Sequence, residues 1–166
     1  MQEALCLCSE GFTLGLALMA VLLGFLTASA QLADKKALTL EAAKKIAAAA
    51  ETEAKKNSWR VVIAVVDDGG HLIYLQRIDE TQTGSIDVAI QKARGAVAYK
   101  RPTKVFEEAV AGGRTAILGL PGAMPFEGGL PLVVDGKVIG AIGVSGVTAA
   151  QDGQIAKAGA DALTTK

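Results

Sequence analysis

The chain holds a single histidine, His71, directly after the run Asp67-Asp68-Gly69-Gly70. One imidazole cannot build a multi-histidine zinc site, and a serine triad would rest wholly on it. It can ligate an iron already held in the plane of a macrocycle, or shuttle a proton. It can also be a plain polar residue flanking a turn. Met124, Tyr74 and Tyr99 are the other side chains of axial-ligand type, and Met124 and Tyr74 read more simply as packing residues. Arg77 ends an otherwise apolar strand and precedes the acidic pair Asp79-Glu80, while Lys92 and Arg94 lie on a helix-patterned stretch. Such cations can meet a ligand carboxylate, and arginine offers a two-pronged fork for it. Lys100-Arg101 reads as a solvated helix face. No nucleophile–base pair is recognisable, so no catalytic residue is assigned.

A second feature lies in Gly128–Gly146, GGLPLVVDGKVIGAIGVSG. Asp135-Gly136 is a strong two-residue hairpin signal, because both central residues of a type I′ turn need positive φ. The strands on either side are apolar and broken by glycines. Gly140-Ala-Ile-Gly143-Val-Ser-Gly146 is not a dinucleotide fingerprint, which needs a glycine turn between strand and helix and a following βα unit. There is no Gly-Lys-Ser/Thr for a phosphate loop, and Val147 stands where a nucleophile elbow needs glycine. Glycine within a strand marks close approach by another backbone or by a ligand. Both readings are open: tight helix–sheet packing, or a flat ligand seated against bare main chain at Gly128, Gly129, Gly140 and Gly143.

Elements that can position these residues follow from periodicity. Thr39 caps a predicted helix over Leu40–Lys56. Arg60–Val66 and His71–Arg77 form a first hairpin. Ser85 is a candidate cap for a helix over Ile86–Tyr99, stopped by Pro102. A short helix runs from Thr103 to Ala111, and a short strand is expected near Ala116–Leu118. The glycine-laced hairpin follows. Thr148 and Gln151 match a capping box that opens a last helix, to about Leu163. Hairpins imply antiparallel pairing, so the expected class is α+β: an antiparallel sheet of about five strands with helices packed over it.

The 166 residues are 51% hydrophobic and only 4% aromatic, so the core must be assembled from Val, Ile, Leu and Ala. Formal net charge is zero, and no basic cluster tracks a phosphate backbone; nucleic acid is not an expected partner. Phe12–Leu26 is an uncharged apolar run followed by Ala28-Ser29-Ala30, a small-x-small cleavage pattern. Residues 1–30 therefore read as a secretory signal and 31–166 as one domain, periplasmic or secreted. Glu3 and Glu10 stand where a signal is usually basic. An uncleaved membrane anchor, or a start site placed too far upstream with a cytoplasmic domain, are the alternatives. Cleavage removes Cys6 and Cys8, and with them any thiolate or disulfide chemistry.

Val65-Val66-Asp67-Asp68-Gly69-Gly70-His71-Leu72 with Arg77, then Ala89-Ile90-Gln91-Lys92-Ala93, then Gly128-Gly129-Leu130-Pro131 through Gly146 with Gln151-Asp152, together resemble the GlcG/HbpS family over Leu38–Leu163. The resemblance implies a sheet of about five antiparallel strands in a profilin-like layering, assembled into homo-oligomers. Haem is the cofactor it suggests; on the residue reading above, His71 would ligate the iron, Arg77 or Lys92 would meet a propionate, and Gly128, Gly129, Gly140 and Gly143 would lie beneath the macrocycle. In that reading the protein positions and shields the haem, and the macrocycle supplies the oxidative chemistry of its breakdown. Other members accompany glycolate or diol pathways or are fused to corrinoid enzymes. This implies the alternative, a non-catalytic accessory protein binding a small organic acid or a corrinoid. The chain departs from its iron-sensing relatives in having no Glu-x-x-Glu, so iron storage or sensing is not expected.

Overall fold

The computed structural model describes residues 34–163; the predicted signal segment lies outside them. From Lys36 onward the chain forms one compact unit. Its elements are α1 (Leu40–Lys56), β1 (Val62–Asp67), β2 (Leu72–Arg77), α2 (Ser85–Tyr99), α3 (Lys104–Ala111), a 3-10 turn (Thr115–Gly119), β3 (Gly129–Val134), β4 (Lys137–Ser145) and α4 (Ala149–Asp161). The strands form one antiparallel sheet in the order β2-β1-β4-β3.

Among the described residues the sheet has four strands rather than five. The segment expected as the fifth, Ala116–Leu118, is the 3-10 turn. It lies between Gly112-Gly113 and Pro121-Gly122, too short a span to reach a sheet edge and return. Leu118 is exposed, so the apolar triplet that suggested a strand is not buried as one.

Side-chain alternation sorts β1 between two layers. Val61, Ile63 and Val65 pack with Ile46, Ala50 and Ile155 of α1 and α4. Val62, Ala64 and Val66 face α2 and meet Ala89, Ala93 and Ala96. Helices thus cover both faces. On the α2 side the helix meets the sheet through Ala89, Ala93 and Ala96, which brings the helix backbone close to the strands.

Local signals explain the boundaries. Thr39 accepts a hydrogen bond from the Ala42 amide at 3.2 Å and starts α1, and Thr148 and Gln151 close a complete capping box at α4. Asp135 and Gly136 both have positive φ, 50° and 73°, as the I′ turn requires. Ser85 does not cap α2; it is the first helical residue, with Gly84 at the cap position, and it is buried. The last helix ends at Asp161, short of Leu163.

Candidate functional site

The β1–β2 turn is organised by one carboxylate. Asp67 Oδ1 accepts from the amides of Gly69 at 2.9 Å and His71 at 2.8 Å. The Asp67 amide in turn donates to the His71 carbonyl at 2.9 Å. The hydrogen bond from the His71 amide is the main reason the Asp67 carboxyl titrates below the usual carboxylate range. Gly70, at φ 81°, takes the left-handed conformation that lets the chain turn back into β2.

This turn rests on the second half of α2. Arg94 Nε donates to the Gly70 carbonyl at 3.1 Å. Between turn and helix lies a cleft of about 340 Å³, lined by Asp68, Gly69, Gly70 and His71 on one side and Arg94, Val97 and Ala98 on the other. The His71 side chain is 83% exposed, with Nδ1 3.4 Å from Asp67 Oδ1. An imidazole, a guanidinium, a carboxylate and a small apolar wall therefore share one opening.

The other expected site residues lie elsewhere. Arg77 pairs with Val62 at the far end of β2, about 20 Å of extended strand from His71 at ~3.3 Å per residue. Lys92 is not available to a ligand: it is 3% exposed and pairs at 2.8 Å with Asp152, also 3% exposed. Its ammonium also donates to the Val144 carbonyl at 3.0 Å, and Asp152 Oδ1 accepts from the Val147 amide at 3.3 Å. Burial raises the Asp152 carboxyl above the usual range, against the opposing pull of Lys92. Asp152 thus ties α2, β4 and α4 together.

The four glycines form no open platform in the protomer. A Cβ on Gly143 would lie 2.0 Å from the Ala89 carbonyl oxygen and 2.6 Å from the Ala93 nitrogen. One on Gly129, which pairs with Gly143 across the strands, would lie 2.3 Å from the Lys92 carbonyl oxygen. Gly128 abuts the Val144 carbonyl and Lys92 Nζ, at 2.7 and 2.9 Å on the same measure, and Gly140 abuts Val66 and Leu38 at 2.4 and 3.0 Å. The expectation of a flat ligand on this bare backbone is corrected: the space is filled by protein, chiefly by the backbone of α2. Of the other axial-ligand types, Tyr99 donates its hydroxyl to the Pro121 carbonyl at 2.7 Å, and Tyr74 packs partly buried on the core.

Among the described residues, no group of three or more His, Cys, Asp or Glu could hold a metal by itself. No described helix is long and apolar enough to cross a membrane.

A family model described as haem degrading protein HbpS-like matches residues 38–161. The chain belongs to this HbpS-like family. It is 50% identical over 111 residues to protein GlcG of Escherichia coli K12, a stretch covering 67% of this chain and 83% of that protein. The crystal structure of a double mutant of Streptomyces reticuli HbpS is similar, with a TM-score of 0.75 at 35% identity over 84% of this chain and 95% of that one. A solved complex of PduOC with haem gives a TM-score of 0.71 at 28% identity, over 79% of this chain and 98% of that one. The HbpS-like domain here therefore has the α+β fold of these relatives.

Two things escaped sequence reasoning. Lys92 and Asp152 are 60 positions apart, and only the packing of α2 against α4 joins them. Arg94 was one cation among several until the turn docked on it. The signal that could have found it is its place two residues after Lys92, on the opposite side of a 3.6-residue helix.

Proposed function

We propose that this chain is a haem-binding module that grips one edge of the macrocycle in the cleft between the β1–β2 turn and α2. The observation that carries this reading is the sole histidine, held with its ring exposed at a cleft that also presents Arg94. The residues present fit the group. His71 Nε2 is the nitrogen turned away from Asp67 and would take the iron; Arg94 would meet a propionate; Val97 and Ala98 give an apolar wall. Asp68 lies on the same rim and steers the negatively charged propionates toward the Arg94 side. At about 340 Å³ the cleft is at the small end of ligand pockets, which run ~300–1,000 Å³. A second copy of the chain completes the cover in this proposal, as a homo-oligomer. Haem when bound supplies the redox chemistry; the protein's own part in its breakdown is to bind, orient and shield it. Export through residues 1–30 belongs to the same proposal and is read by N-terminal sequencing of secreted protein.

Titration of the protein with haem, followed by absorption, tests the reading. The expected result is a Soret band that shifts on binding, and a further shift to a differently ligated species in His71→Ala. A band identical in His71→Ala removes the ligand assignment. Thermal shift with cobalamin and with glycolate runs alongside, since a ligand bound only by the native state raises its melting point. Stabilisation by either of these and none by haem would overturn the haem reading in favour of an accessory protein for a corrinoid or a small acid.

A further inference from the structure

An exposed imidazole ordinarily swings freely and, when neutral, prefers its proton on Nε2. In this structure two neighbours act on the ring of His71 at once. Asp67 Oδ1 stands 3.4 Å from Nδ1 and is itself held by the Gly69 and His71 amides, so it cannot wander. Gly69 supplies the floor: a Cβ there would lie 2.9 Å from Nδ1 and 3.1 Å from Cε1. The ring lies over Gly69 in the space a side chain would occupy. Only glycine at 69 lets the imidazole come down onto the turn and face Asp67.

We infer that Asp67 and Gly69 are positioning residues that hold the His71 imidazole with its proton on Nδ1 and the Nε2 lone pair directed into the cleft. A carboxylate close to Nδ1 favours the tautomer that donates to it, and the other nitrogen is then a ready electron-pair donor. The neutral imidazole is thereby set to ligate a metal centre without first rearranging, and the negative charge behind it makes Nε2 a stronger donor. The ligand class for such a nitrogen is a coordinatively open metal, such as iron already held in a macrocycle. That last step rests on the haem reading; the tautomer itself does not.

The chain's single histidine makes the test direct. The folded chain is labelled with 15N-histidine and its ring nitrogens are recorded in alkaline buffer, with no haem present. The expected wild-type spectrum shows Nδ1 protonated and Nε2 bare. Asp67→Asn keeps an oxygen for the two turn amides but removes the charge, and the tautomer ratio should invert toward Nε2–H. Gly69→Ala leaves the charge and pushes the ring off its floor, and the ratio should invert as well. Backbone amide spectra confirm that both variants are folded. A purely structural role for Asp67 in the turn would leave the ratio where it was. A wild-type ring protonated on Nε2, or an unchanged ratio in either folded variant, overturns the inference. Because this measurement is made without haem, it can fail while haem binding stands, and loss of the His71–iron assignment leaves it untouched.

Discussion

Gly143→Ala separates the two roles open to the strand glycines. The added Cβ would lie 2.0 Å from the Ala89 carbonyl oxygen, where ordinary contact begins at 3.4 Å. Helix α2 would have to withdraw by about 1.4 Å to restore that distance. The obstacle is helix backbone, with the Ala93 nitrogen at 2.6 Å and its Cβ at 3.0 Å, so no side chain can swing aside. A radial gap of 0.5–1 Å already forfeits roughly a quarter to a half of a dispersion well. The retreat would therefore loosen the whole Ala89, Ala93 and Ala96 contact with β1 and β4. Overpacking of this kind costs ~1–3 kcal/mol, sometimes more. A backbone obstacle on two sides places Gly143→Ala near the top, about 3 kcal/mol, or a fall of about 10 °C in Tm for a domain of this size. Gly84→Ala is the control, since nothing lies within 4 Å of a Cβ there. Urea unfolding and thermal melting of the three proteins, with haem titration beside them, give the answer. Wild-type stability in Gly143→Ala together with lost haem binding would refute the packing account and return the glycines to a ligand platform.

Lys92→Met leaves Asp152 buried without its partner, and breaking such a pair costs ~3–5 kcal/mol; urea midpoints should show it, and Lys92→Met with Asp152→Leu should recover most of the loss. Arg94→Ala removes a charge-assisted contact worth ~1.5–3 kcal/mol, so haem affinity should fall about 10- to 100-fold, while Arg77→Ala, at the far end of β2, should leave it unchanged; equal losses in the two would count against the cleft. The pKa of Asp67 is lowered in the fold, chiefly by the His71 amide. Its contribution to stability is therefore present at neutral pH and is lost as pH falls through that lowered value. Asp67→Asn should flatten the acid limb of the stability profile, and superimposable acid limbs would show that the turn does not depend on this charge.

The sequence was most legible where one local rule decides. The bounds of α1 match its 3.6-residue pattern and its Thr39 cap, and Asp135-Gly136 specifies its turn by φ alone. The capping box at Thr148 is likewise a property of four consecutive residues. It was least legible where a tertiary neighbour decides. Ala116-Ile117-Leu118 has a strand's composition, yet Ile117 is buried while Leu118 is exposed in a 3-10 turn, because the glycines and prolines around it leave no length for pairing. The strand glycines showed that something comes close to β3 and β4. They could not show that it is the backbone of α2 at Ala89 and Lys92. Lys92 read as a cation for a ligand carboxylate because nothing in its neighbourhood along the chain announces Asp152.

These placements make α2 the element on which both fold and site depend. Successive residues turn by about 100° around a helix, so Ala89 and Ala93 face Gly143, the side chain of Lys92 reaches Asp152, and Arg94 points out toward the cleft. The height of the helix above the sheet is set by Gly129 and Gly143, and its tie to α4 by the buried ion pair. Arg94 and the His71 turn therefore keep their separation only while that packing holds. The glycines act on the cleft through the helix, not as its floor. It follows that a substitution which lifts α2 should weaken haem binding in proportion to its loss of stability, whereas Gly69→Ala should change the imidazole without moving the helix. Melting temperature and ring tautomer thus report on separate parts of the molecule, and a variant series in which the two always moved together would mean that the turn and the helix form a single unit.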